Sequence, residues 1–348
     1  MKNDKLEEFK ILKNLVKFNT IKDCENKQIL NYIEHYLNSL GFKTESKSKN
    51  LVMSIGSNPK IGFLGHTDTV EYIDEFKTPF DLKLKDGYLY GLGSCDMKGG
   101  IAAMLDAVAK VDFSKVKGGM KLYFTYDEEI GFGGTYELIK NNEIFPKVMI
   151  FGEPTNNEIL TGSKGLIEYE VNIKGLKAHS SNPEKGVSAN LNAVKFIYEL
   201  NSFYNNEIKP EKEELYLIPY TTMNIGLIKG GSAKNSVPAN CDITIDFRPI
   251  KEKHIDKIDK LINELAHKYG ATVNIIERVD PFIDYINSGD EVKTANFITE
   301  ASLIKGVDKR IILGTGPVTA HEVNENISVE SYRMLVKQYE NLIYKESK

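Results

Sequence analysis

The chain has few cysteines, no long apolar run, no internal repeat and no block of like charge, and each absence narrows what it can be. Cys24, Cys95 and Cys241 are odd in number and show no Cys-x-x-Cys spacing. A disulfide framework is not expected; a reducing, cytoplasmic setting is. No apolar run approaches the ~20 residues that a membrane helix needs. The N-terminus, rich in lysine and glutamate, lacks the apolar core of a signal peptide. Lys and Arg total 45 against 49 Asp and Glu, a formal charge of −4, with the two signs interspersed. That pattern argues against a nucleic-acid or membrane partner. What is present suits a soluble globular protein: 41% hydrophobic and 27% charged residues over 348 positions. Two domains are expected at that length.

Chemistry concentrates around Gly91-Leu92-Gly93-Ser94-Cys95-Asp96-Met97-Lys98-Gly99-Gly100. One carboxylate lies between paired glycines, and an apolar run from Ile101 to Val108 follows. The stretch reads as an irregular loop delivering Asp96 to the mouth of a buried helix. Such a carboxylate can bridge two cations, one on each oxygen. Taken alone, it reads better as a Gly-rich turn with a capping Asp. Three short apolar runs, 61–65, 120–126 and 148–151, read as buried strands. The first ends in His66-Thr67-Asp68, where His66 can bind a metal and Asp68 can orient its imidazole. The second ends in Asp127-Glu128-Glu129. On an extended backbone these two glutamates point different ways, so one can bind metal while its neighbour handles a proton. The third ends in Gly152-Glu153-Pro154. Functional groups of open α/β sheets gather at the carboxyl ends of strands, so these residues converge if one parallel sheet carries them all.

Other elements frame these strands. Apolar spacing predicts helices over 4–18, 25–40, from Thr135, 292–304 and 328–343, the last with a serine cap. Residues 81–90 read as a hairpin turning at Asp86-Gly87, and 310–313 as a strand. From residue 164 the pattern changes to half-exposed strands at 166–174, 221–229, 241–247 and 272–276, with helices at 187–204 and 255–269. That is βαββαβ, the ferredoxin-like order.

In order, these motifs resemble the dinuclear-zinc hydrolases that include acetylornithine deacetylase, succinyl-diaminopimelate desuccinylase, aminoacylase and glutamate carboxypeptidase. The resemblance rests on Gly65-His66-Thr67-Asp68-Thr69-Val70, Gly91-x-Gly-x-x-Asp96-Met97-Lys98-Gly99-Gly100, Asp127-Glu128-Glu129, Gly152-Glu153-Pro154 and Ala320-His321, and it covers nearly the whole chain. It implies an α/β catalytic domain with a mixed, mostly parallel sheet, built from 1–163 and 280–348. An inserted ferredoxin-like lid and dimerisation domain would span 164–279. By the same resemblance His66 and Glu153 hold one metal, Glu129 and His321 hold the other, and Asp96 bridges, followed by a cis peptide to Met97. Glu128 is the general base, with Asp68 as a catalytic neighbour. Glu322 to Glu325 supply the acid that the family carries after its late histidine. His179, by spacing alone a polar turn residue, becomes the group that polarises the scissile carbonyl, often in the partner subunit's site. Asn235 and Arg248 bind a substrate carboxylate, with the backbone at Gly316 as a further donor. Arg248 by itself reads as a surface ion pair at a strand end.

The implied cofactors are two divalent metal ions, zinc in the first place, with cobalt or manganese also fitting such ligands. The implied activity is hydrolysis of the amide bond of a small N-acyl amino acid, and Asp96-Met97-Lys98 leans toward the acetylornithine and succinyl-diaminopimelate branch. A carboxypeptidase or dipeptidase on the same scaffold is the alternative. A non-catalytic binding protein is the third, and Glu128 argues against it, since a binding module needs no base there. The expected partners are the small substrate and a second copy of the chain.

Overall fold

The computed structural model describes residues 4–21, 26–72, 75–285 and 292–346. Cys24 lies outside them. The chain divides into two compact units: 1–161 with 284–290 and 299–348, and 162–283 with 291–298.

Unit 1 is built on six strands: β1 (Thr44–Lys47), β2 (Asn50–Ile55), β3 (Ile61–His66), β6 (Met120–Thr125), β7 (Val148–Phe151) and β14 (Lys309–Ile312). Their order is β1-β2-β6-β3-β7-β14. β6, β3, β7 and β14 run parallel, while β2 joins β6 antiparallel. β3 is buried along its whole length and β6 and β7 nearly so, which is why each reads as an unbroken apolar run. Helices α1 (Lys10–Val16), α2 (Lys27–Ser39), α3 (Lys98–Lys110), α4 (Glu128–Gly131), α5 (Gly133–Lys140) and α8 (Val329–Glu346) belong to this unit. Leu12, Leu15, Ile33, Ile101, Leu105, Leu335 and Tyr339 make one core with the sheet residues Phe63, Leu122 and Ile150. The hairpin β4 (Lys83–Lys85) and β5 (Tyr88–Tyr90) gains β15 (Asn326–Ser328) as a third strand.

Three local expectations change. Residues 4–18 split into a 3-10 stretch, Asp4–Phe9, and then α1. Glu128 and Glu129 stand on the helical turn α4 and not on extended backbone. Neighbours on a helix still diverge by about 100°, so the two side chains can take separate roles. The helix expected over 292–304 is absent; only Glu300–Ser302 forms a 3-10 turn. Val292, Thr294, Asn296 and Thr299 are weak helix formers. Tertiary pairing decides the matter: the Ala295 N–H donates to Gly162 O at 2.8 Å, and its carbonyl accepts from Lys164 N at 3.1 Å. The serine cap of α8 is present, with Ser328 Oγ accepting from Ser331 N at 3.0 Å.

Unit 2 holds β8 (Gly162–Ser163), β9 (Leu166–Lys174), β10 (Thr222–Gly230), β11 (Asn240–Arg248), β12 (Ala271–Val279) and β13 (Phe282–Ile283), with α6 (Ala189–Phe203) and α7 (Glu252–Tyr269). The main sheet is antiparallel in the order β10-β11-β9-β12, the ferredoxin-like arrangement. Alternation sorts its faces: Ile167, Tyr169, Val171, Ile173, Ile243, Ile245 and Phe247 are buried with Phe196, Ile258 and Ile262 of the helices. β10 is an edge strand. On α6, Leu191, Val194 and Tyr198 recur at helical spacing and are 64%, 63% and 71% exposed. Among the described residues, no helix is long and apolar enough to cross a membrane.

Candidate metal centre

The parallel register carries the site. His66 ends β3 opposite Thr125 of β6, so Glu128 and Glu129 on α4 follow one strand over. β7 lies on the other side of β3, and Glu153 follows its last residue by two. Asp96 arrives on the loop before α3, whose first turn packs so closely that a Cβ at Gly100 would lie 2.3 Å from Gly152 O. The Asp96–Met97 peptide is cis.

The two oxygens of Asp96 face different groups. Oδ1 is 3.1 Å from His66 Nε2, and the same nitrogen is 3.8 Å from Glu153 Oε1. Oδ2 is 3.5 Å from His321 Nε2, which is 3.3 Å from Glu129 Oε2. Glu128 Oε2 lies 4.0 Å from His66 Nε2. His66 Nδ1 is 3.1 Å from the Asp68 carbonyl and 3.5 Å from its Oδ1. Asp68 Oδ2 accepts the Glu129 N–H at 3.1 Å. One acid thus meets both the imidazole and the turn that carries the glutamates.

The electrostatics are those of crowded acids around two imidazoles. Burial raises the Glu128 carboxyl well above the usual range, with Glu153 and Glu129 pushing the same way against His66. Burial does the same to Glu153, beside Asp96. Asp96 is also buried, yet hydrogen bonds from His321 and His66 hold it below the usual range. Burial alone would depress His66, but Asp68, Asp96, Glu128 and Glu153 carry it well above its ordinary value. Asp96 and Glu129 bring His321 up to about 10. So much negative charge in little space calls for a cation. His66, Asp96 and Glu129 present ligand atoms that all lie within 4.8 Å of one another. Glu129 Oε1 is buried with no hydrogen-bond partner among the described residues. Oxygen and imidazole donors of this kind fit zinc, cobalt or manganese.

Gly316 follows a different course from its expectation. Its N–H donates to Ser331 Oγ at 2.7 Å, and its carbonyl accepts from Ser328 N at 2.8 Å. The amide is already engaged at the start of α8. What the glycine supplies is room, since a Cβ would lie 2.2 Å from Asn156 Oδ1.

In unit 2, His179 and Asn235 lie on paired segments: the Ser180 N–H donates to Asn235 O at 3.1 Å and Val237 N–H to Ala178 O at 2.8 Å. His179 Nδ1 accepts from the Ser181 N–H at 3.2 Å. That bond leaves the ring proton on Nε2 in the neutral imidazole. Arg248 ends β11, and Asn235 lies five residues before Asn240, the first residue of that strand. A nine-residue strand spans roughly 26 Å. Asn235 and Arg248 of one chain therefore stand at opposite ends of β11. Arg248 is also forked onto Asp246, with Nε 3.2 Å from Oδ1 and Nη2 3.1 Å from Oδ2.

Three buried groups were not singled out individually by sequence reasoning. Glu325 accepts from the N–H groups of Gly93, Cys95 and Asp96 at 2.7, 2.7 and 2.9 Å, and so holds the Asp96 loop. Its only sequence signal was membership of the acidic run after His321. Lys98, fully buried, donates to Phe18 O at 2.8 Å. Glu300 is 1% exposed in a segment that reads as a plain helix.

A mostly parallel sheet whose strand ends and adjoining loops gather two imidazoles and four carboxylates, with Asp96 between the two imidazoles, carries the donor set of a metal-dependent hydrolase. The model of peptidase family M20/M25/M40 matches residues 62–345, and the chain belongs to that family. It is 32% identical over 343 residues to acetylornithine deacetylase of Pasteurella multocida, covering 88% of each chain. It is 32% identical over 359 residues to the enzyme of that name from Proteus mirabilis, covering 91% of this chain and 90% of that one. Among solved structures, an M20 family metallo-carboxypeptidase from Sulfolobus solfataricus shares the fold with a TM-score of 0.81 at 22% identity, over 98% of this chain and 99% of the other. A dinuclear metal-binding M20 peptidase from Bacillus subtilis gives 0.71 at 12% identity, over 98% of both. Family and relatives together support amidohydrolase or peptidase activity.

Proposed function

We propose that the protein hydrolyses the amide bond of a small N-acyl amino acid, in the manner of the biosynthetic acetylornithine and succinyl-diaminopimelate enzymes. The observation that carries the reading is the division of Asp96: one oxygen toward His66 and Glu153, the other toward His321 and Glu129, with Glu128 alongside. We assign the two groups to two divalent ions, zinc first. Such ions, when bound, acidify a water and polarise a carbonyl. Glu128 takes a proton from the attacking water and returns it to the leaving amine. His179 donates its Nε2 proton to the carbonyl oxygen as charge develops there. Arg248, steadied by Asp246, grips the substrate carboxylate. Gly316 keeps the adjoining loop free of a side chain.

The separation of Asn235 from Arg248 supports a homodimer in which His179 and Asn235 serve the partner's site and Arg248 serves its own. The edge strand β10 and the apolar stripe of α6 are the surface on which we place the second copy. On this reading 162–283 is a lid and dimerisation domain and the remainder the catalytic domain. Two buried, unpaired thiols, Cys95 and Cys241, suit a reducing cytoplasm.

The names of the 32% relatives favour a deacylase over a carboxypeptidase or dipeptidase. The test is a panel of N-acyl amino acids and dipeptides offered to the metal-loaded protein. Release of a free carboxylic acid and one amino acid is the expected result. Two amino acids as the main products would make it a peptidase, and no turnover at all would leave a binding protein.

A further inference from the structure

Glu300 is a buried acid that the proposed chemistry leaves unused. It begins the 3-10 turn Glu300–Ser302, which Thr299 caps by accepting from Ala301 N at 3.1 Å. Its Oε1 accepts from the Thr135 hydroxyl at 2.5 Å. Both residues are buried, and 165 positions of sequence separate them. Thr135 is the third residue of α5, and α5 follows α4 with Phe132 alone between them. α4 carries Glu128 and Glu129.

This segment turns sharply twice. Asp127 before α4 and Phe132 after it take φ of 62° and 56°. Residues with side chains seldom adopt that conformation, so neighbouring contacts must hold it. The anchors are visible. Asp68 Oδ2 accepts the Glu129 N–H at 3.1 Å. Gly134 N donates to Tyr126 O at 2.9 Å, and Gly134 O accepts from Asn50 Nδ2 at 3.0 Å. Glu300 holds the next residue, from an element that brings no ligand to the metal group. Burial pushes its carboxyl up to about 7, and in the neutral acid Oε1 remains an acceptor for Thr135.

We propose that Glu300 is a positioning residue, which fixes the α4–α5 segment through Thr135 and thereby sets where the Glu128 carboxylate stands. The proposal rests on the reading of Glu128 as the base. A glutamine at 300 keeps the acceptor; an alanine leaves the Thr135 hydroxyl buried and alone.

The test compares Glu300→Ala, Glu300→Gln and Thr135→Val with Glu128→Gln, all metal-loaded, on one hydrolysed N-acyl amino acid. Glu300→Ala and Thr135→Val should each lower kcat by about 10- to 100-fold, the scale of a misplaced catalytic group. KM should stay unchanged, with each variant compared at full metal occupancy. Glu300→Gln should recover most of kcat, and the double variant Glu300→Ala/Thr135→Val should be no worse than Glu300→Ala, because that change already breaks the bond to Thr135. Full kcat in Glu300→Ala, or a glutamine as damaging as alanine, overturns the proposal. Should Glu300→Ala fail to fold, Thr135→Val, which conserves shape, decides between the same outcomes. Loss of activity in Glu128→Gln alone, with the Glu300 and Thr135 variants unaffected, removes Glu300 while leaving the base in place. Activity retained in Glu128→Gln removes both.

Discussion

Asp96 is the residue on which the proposed metal centre turns, because its two oxygens face two sets of donors. Replacing one oxygen by an amide nitrogen removes an anionic ligand from both sets at once. Asp96→Asn should therefore lose both equivalents of metal, measured by equilibrium dialysis and elemental analysis. Glu129→Gln and Glu153→Gln should each weaken one. A wild-type protein that saturates at a single equivalent would break the assignment. Arg248 poses a second question at this scale. Charged hydrogen bonds are worth about 1.5–3 kcal/mol each, so a substrate methyl ester should lose roughly 10- to 100-fold in kcat/KM. Arg248→Ala should erase the preference for the acid. Arg248→Lys should restore only part of it, since an ammonium lacks the planar fork. Equal rates for ester and acid would leave Arg248 as the partner of Asp246 and nothing more.

Elements decide how firmly these residues are held. In the loop before α3 the N–H groups of Gly93, Cys95 and Asp96 turn to a side chain: the Glu325 carboxylate accepts from all three. It does so from just before β15, which joins the β4–β5 hairpin, so hairpin and loop are tied at one point. Leaving buried amides without acceptors costs about 1–3 kcal/mol each. Glu325→Ala should lower Tm and weaken metal binding together, whereas Glu325→Gln, which keeps one acceptor oxygen, should lie between it and the wild type. Thermal unfolding with and without metal reads both effects. An unchanged Tm in Glu325→Ala would mean that the loop is held elsewhere. On β11 the strand's own length does the work: it sets Asn235 and Arg248 far apart, and no side-chain rotation can close that gap.

For the whole molecule, the dimer is the claim that joins the two units' residues into one activity. Chains carrying Glu128→Gln and chains carrying His179→Ala should each be inactive, yet mixed dimers should regain activity, because one site in each would combine an intact Glu128 with the partner's intact His179. Verified heterodimers without recovery would confine His179 to its own chain or to no role. Sequence by itself determined the strands read at 61–65, 120–126 and 148–151, each within a residue of its observed end, and the order of the acids and histidines behind them. A buried parallel strand is an apolar run, and whatever follows it in the chain must follow it in space. The alternation of 166–174 and the βαββαβ order were legible for the same reason: periodicity is local. Tertiary structure alone decided the rest. Whether 292–299 is helical depended on Gly162 and Lys164, which compete for its backbone. That Glu325 and Glu300 are anchors was written in partners some 230 and 165 positions away. A long-range hydrogen bond leaves no mark on its neighbours in sequence, because it is specified by the packing of whole elements and not by the spacing of residues.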